Sequence, residues 1–248
     1  MIQFHHRLRT LISGILITGV VMTTLPLNHS LAAGVVGSGT SGSCTEQAFD
    51  LALTSGGAIT FDCGGSKTIV LSNEKIIDAD TDIDGGGLVT LDGDLKHRIF
   101  RVNSGRTLTL HNLVLIQGDS GAGNGGAVLV NGALTGSNLT ISHSRTGVDQ
   151  AGGAIYIGKT GGASLTSSQI LSNTSDSGGG ISSDGALILI ETQISANQAI
   201  SGSGGGLRNS GEASIMESSI YSNSASIAGG GIANNMGLDP HLYPELLF

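Results

Sequence analysis

The chain has no tryptophan, three tyrosines and five phenylalanines in 248 residues. Protein sites that stack sugar rings draw on large flat aromatic surfaces, and here they are nearly absent. Basic residues are also scarce, with 11 Lys and Arg against 19 Asp and Glu, for a net charge of −8. Such a surface repels phosphate backbones and anionic lipid heads, so nucleic acid is excluded as a natural partner. Two cysteines are too few for a thiolate metal site, and no other ligands stand near them. Long apolar runs are missing too. The one apolar stretch, residues 11–22, is shorter than the ~20 residues needed to cross a bilayer.

That stretch has another reading. His5, His6, Arg7 and Arg9 precede it, and Ser30-Leu31-Ala32 follows as a small-x-small motif. This is the layout of a cleaved export signal, residues 1–33, with the cut after Ala32 or Ala33. Its loss moves the charge from −8 to −10, because two arginines leave and no acid does. The expected location is outside the cytoplasm, secreted or at the cell surface, with no membrane span left after cleavage. Cys44 and Cys63 agree with an oxidising compartment and are expected to pair. A loop of that size contributes about 3 kcal/mol in the chain-entropy view.

Glycine is abundant, at 41 residues, and it is periodic. A Gly-Gly-small-apolar signature ends at Val128, Ile155, Ile181, Leu207 and Ile232, spaced 27, 26, 26 and 25 residues apart. Fixed self-similarity in this range marks a solenoid or array. A second signature pairs Leu134 with Ile141, Leu165 with Ile170, Leu189 with Ile194 and Ile215 with Ile220. In the last three, Asn173, Asn197 and Asn223 follow, one per repeat, and stacked Asn side chains can hydrogen-bond along an axis. Asn131-Gly132, Asp184-Gly185 and Ser210-Gly211 supply turn dipeptides that tolerate positive φ. Between these marks apolar and polar residues alternate with the strand period of two, as in Leu139-Thr140-Ile141.

Helical repeats fail for want of a helical period, and propeller blades need about 40 residues each. The expected fold is all-β, a right-handed parallel β-helix of seven or eight coils of about 26 residues, over residues 67–235. Residues 34–66 should form the N-terminal cap, a short helix near residues 44–53 with Ala48, Leu51 and Ala52 on one side, followed by a first strand at Ile59-Thr60-Phe61. Residues 236–248 fit no coil and hold two of the three prolines. A truncated or frame-shifted piece of a longer repeat protein is one expectation; a small irregular C-terminal cap is the other.

Gly152-Gly153-Ala154-Ile155 resembles one signature of the chlamydial polymorphic outer-membrane proteins. Ile170-Leu171-Ser172-Asn173, Ile194-Ser195-Ala196-Asn197 and Ile220-Tyr221-Ser222-Asn223 are similar to their Phe-x-x-Asn signature, with Ile for Phe. The capped start and Asp82-Ile83-Asp84-Gly85-Gly86-Gly87 look like secreted bacterial β-helix proteins of the pectin-lyase-like fold. The resemblance implies fold and says little about activity. Lyases of that class use acidic calcium ligands with a basic proton acceptor, which would make Arg145, Lys159 or Arg208 the candidate bases. The paired-aspartate strings of its hydrolases do not occur here.

Asp78, Asp80, Asp82 and Asp84 alternate, so on one strand they would share a face and could bind Ca²⁺; the alternative is a solvated acidic face. No catalytic residue and no cofactor other than that calcium is indicated. Tyr156 and Tyr221 should point outward as isolated side chains, and His97, His111 and His143 are scattered. Asp149 and Asp176 fall in glycine-rich connections. The sequence therefore points to a surface-exposed or secreted structural or adhesion-type rod. Its partners would be extracellular polysaccharide or the surface of a host or neighbouring cell. The alternative is a polysaccharide-acting enzyme, lyase or hydrolase, or a degenerate remnant of one.

Overall fold

The computed structural model of the chain describes residues 33–235. The predicted leader, up to Ala32, and the irregular residues 236–248 lie outside that range. The described chain is an all-β solenoid of about eight turns with one helix, and its strands run parallel from coil to coil. Each regular coil supplies a three-residue strand to a seven-stranded sheet and then two strands to a long, bent sheet. In the later coils a two-residue strand to a third sheet follows.

The register follows the repeat. Phe100, Val128, Ile155, Ile181, Leu207 and Ile232 are successive partners in the seven-stranded sheet. All but Ile232, on the last coil, are fully buried. Alternate positions are buried on most strands, so successive coils add layers of Leu, Ile or Val to a shared core.

The turn glycines work differently from the sequence expectation. Gly132, Gly185 and Gly211 do not have positive φ. A Cβ on any of them would lie 2.1–2.2 Å from a backbone carbonyl oxygen of the preceding coil, so close stacking demands glycine there. The left-handed glycines that recur once per repeat are Gly125, Gly152, Gly178, Gly204 and Gly229, at φ +62 to +74°, where the chain bends into the seven-stranded sheet. The bends of the long sheet use non-glycine left-handed residues in two rows. One row is Asn112, Asn138, Ser167, Glu191 and Glu217, and the other is Gln117, His143, Ser172, Ala196 and Ser222.

Asn173, Asn197 and Asn223 stack along the axis. The Asn197 Oδ1 accepts from the Asn173 backbone N–H (2.9 Å) and from its Nδ2 (3.0 Å), and Asn223 serves Asn197 in the same way. The row continues N-terminally as Ser144, whose N–H donates to Asn173 Oδ1.

The N-terminal end begins earlier than expected. The first strand is Ala33–Gly37, pairing in parallel with Gly57–Asp62, so Ala33 belongs to the solenoid. The helix Glu46–Leu53 starts at the Thr45 N-cap, whose hydroxyl accepts from the Ala48 N–H. Its buried anchor is Phe49, packed against Phe61 and Phe100, whereas Leu51 is 72% exposed, contrary to the expected face. Cys44 and Cys63 form a disulfide with Cα atoms 5.5 Å apart.

Lys75 completes the cap. It occupies the first position of the interior row, opposite Phe100, and is 3% exposed. Its stem continues the apolar column while the ammonium reaches Glu46 and Asp50 of the helix, each at 2.6 Å. Burial alone would raise the Glu46 carboxyl, but the Lys75 hydrogen bond and the Ser72 N–H outweigh it and hold it below its ordinary 4.5. A depressed carboxyl stabilises the fold in full above its unfolded value and loses that contribution as pH falls through the folded one. Lys75→Met is therefore expected to cost about 2–3 kcal/mol, below the loss for a fully buried pair because the acids keep some solvent. It should also flatten the decline in stability below about pH 4.5. Urea unfolding of both proteins from pH 7 to pH 3 checks both.

Candidate functional site

The outward face of the seven-stranded sheet carries Leu129, Tyr156, Ser182 and Arg208 at one register position in successive coils. Beside them, the loops that precede each strand stack into a wall that ends at the left-handed glycines Gly152, Gly178 and Gly204. Wall and sheet enclose a polar cleft of about 510 Å³, lined in part by Asn124, Asp149, Tyr156, Asp176, Asp184 and Arg208.

At its centre the Asp184 carboxylate is shared. The Tyr156 hydroxyl donates to Oδ2 at 2.6 Å, and Arg208 Nη1 approaches Oδ1 at 3.4 Å while donating to Ser182 Oγ at 3.2 Å. Burial, then the hydrogen bond and charge of Asp184, push the Tyr156 phenol up to about 12, against the opposing pull of Arg208. The phenol is thus a neutral donor at ordinary pH and no base. On the wall, Asp176 is 9% exposed and accepts the Asp149 backbone N–H, and Asn124 Oδ1 accepts the Ala151 N–H at 2.8 Å. Three carboxylates face one guanidinium, so the cleft is rich in acceptors and suits hydroxyl-bearing or cationic groups over anions.

Replacing Asp184 by Asn removes both the carboxylate acceptor and the charge. The Tyr156 ionisation, isolated in ultraviolet titration by subtracting the Tyr156→Phe protein, is then expected to fall from about 12 only part of the way to the ordinary value, because burial, the larger cause, remains.

Of the three candidate bases, only Arg208 lines this cleft. Arg145 pairs with Asp119 at 2.7 Å, and Lys159 is exposed on a turn. A second, charged groove holds Arg98 and Arg101, which share the one Glu74 carboxylate, while Arg98 also donates to the Asn124 and Gly125 carbonyls. His111 approaches Asp82 at 3.4 Å and bonds Ser137. His97 borders the charged groove. His143 is one of the left-handed bend residues.

The four alternating aspartates do not share a strand. Asp78 and Asp80 lie in the corner before the strand Thr81–Asp92, because the chain must turn out of Lys75–Ile77 there. Each acid takes a separate partner one coil on. Asn103 donates to Asp78, the Thr107 N–H to Asp80 and Asn112 to Asp84, while His111 stands beside Asp82. Among the described residues no three acidic, His or Cys side chains converge as a metal site.

Sequence reading singled out Tyr156, Asp184 and Arg208 separately and missed their union. The signal was present: Tyr156 and Arg208 sit at one phase, two repeats apart. No protein-family model matches the chain, and no curated protein or solved structure does. The motif resemblances therefore rest on those short strings alone.

Proposed function

We propose that this chain is an extracytoplasmic structural and interaction module, a stiff β-solenoid that displays its outer rows to large partners such as polysaccharide or a cell surface. The observation that carries this reading is the unbroken column from Lys75 to Ile232, buried in every coil as far as Leu207, against outer positions that change from coil to coil. A disulfide at the cap and the leader-like residues 1–32 support export. Expression of the full chain with its own leader, followed by cell fractionation and thiol labelling, tests it. The expected result is protein outside the cytoplasm with Cys44 and Cys63 oxidised. Reduced protein confined to the cytoplasm contradicts it.

A second reading, action on polysaccharide, is favoured by the cleft around Asp184 and Arg208. Release of sugar fragments from a panel of neutral and acidic polysaccharides, abolished by Arg208→Ala in a protein of unchanged melting temperature, would establish it. The binding-module reading predicts retention of the polysaccharide without cleavage.

A further inference from the structure

The two ends of the described solenoid are not equivalent. The N-terminal end is sealed by the helix Glu46–Leu53, the disulfide and the Lys75 ion pairs. At the other end, the strands Glu212–Met216, Ser219–Tyr221, Ser224–Ala225 and Ile232–Asn234 lie at sheet edges and, among the described residues, pair on one side only, with no helix over the core there. Ile215 is 38% exposed where its partners one and two coils back, Leu189 and Leu165, are fully buried. Asn173 and Asn197 each donate their backbone N–H to the Asn one coil on, and that of Asn223 meets no acceptor among the described residues.

We propose that this edge is a self-association surface whose occupant is the same edge of a second copy of the chain, related by a two-fold axis at Ser214. The opposite end also has strands paired on one side only, but there the helix Glu46–Leu53 lies over the core and hinders head-to-tail stacking, which favours an isologous, closed dimer. The strand itself is self-complementary. Antiparallel pairing centred on Ser214 sets Glu212 opposite Met216 and Ala213 opposite Ile215, with Ser214 opposite its own counterpart. No like charges face each other, and Glu217 falls opposite Gly211. The register with Leu187, Ile188 and Leu189 directs Ala213 and Ile215 to the core side and Ser214 outward. One continuous apolar interior then runs through both copies. Both carry net negative charge, so salt should strengthen the pair.

Sedimentation equilibrium of the full chain tests this, with Ser214→Cys and Ser214→Lys variants whose outward position leaves the core untouched. The expected results are twice the monomer mass, association that tightens with added salt, and rapid oxidative cross-linking of Ser214→Cys. Glu212→Cys, whose counterpart is Met216, should not cross-link, and Ser214→Lys should be monomeric, with a melting temperature independent of concentration and equal to that of the wild type at dilutions where the wild type is itself monomeric. A wild-type monomer at all concentrations, as would follow if residues 236–248 cover the edge, overturns the proposal. So do open-ended aggregates, and so does equal cross-linking of the two cysteine variants.

Discussion

Alanine at Gly153 is expected to destabilise the protein by about 4 kcal/mol or more, at the far end of the range for single substitutions. A Cβ there would lie 2.2 Å from the Gly179 carbonyl oxygen and 2.7 Å from the Thr174 N and O. All three are backbone atoms, so no side chain can swing aside, and the coils would have to separate. Gly162, in the same coil, supplies the contrast. Its nearest neighbours, the Ala186 O and Cβ, are 3.9 and 4.0 Å away, and its φ is not left-handed. Gly162→Ala should therefore stabilise slightly, by about 0.4–1 kcal/mol, through the less flexible unfolded chain. Denaturant unfolding of the two variants checks the opposite signs. Equal effects would mean that the coils are not stacked at the described spacing.

Asn197→Ala is the second large effect, expected at about 3–5 kcal/mol. The side chain is buried and bonds in both axial directions. Its removal orphans the Asn173 backbone N–H, worth about 1–3 kcal/mol when buried and unpaired, and strips the Asn173 amide, the Asn223 carbonyl oxygen and the Ile170 carbonyl of one bond each. Asn223→Ala removes the same chemistry at the half-buried edge, where water can substitute, and should cost about 1–2 kcal/mol. Thermal and chemical unfolding of the two variants measures the difference.

The interior column was legible because its glycines and closing apolar residues recur at a near-constant period, and both classes are dictated by packing. Asn173, Asn197 and Asn223 were legible for the same reason. Other features obey geometry without a fixed residue type. The left-handed bends accept Asn, Ser, Glu, His, Gln or Ala, so their rows leave no motif. Lys75 was invisible as a core residue because a charge in an apolar slot becomes sensible only once Glu46 and Asp50 are seen beside it. The strand Ala33–Gly37 has three small residues in five and reads as a linker until Gly57–Asp62 is laid alongside. For the four aspartates, alternation is compatible with one strand or with a solvated acidic stretch, and the corner after Ile77 interrupts the strand before Thr81. The cleft was hidden for a simpler reason. Tyr156, Asp184 and Arg208 are far apart along the chain, and only the stacking of coils makes neighbours of residues a repeat apart.

The account depends above all on parallel stacking in register, and the distance between Asp82 and Ile188 tests it most directly. Both point outward in the long sheet, joined through Thr109, Thr135 and Ser164 as successive partners. Four steps of strand spacing place their backbones about 19 Å apart. Pulsed electron spin resonance on a protein labelled at these two positions should give one narrow distribution near that value, widened only by the label arms. A broad distribution, or one centred beyond about 30 Å, would contradict the stacked register on which the cap, the Asn row and the cleft all stand.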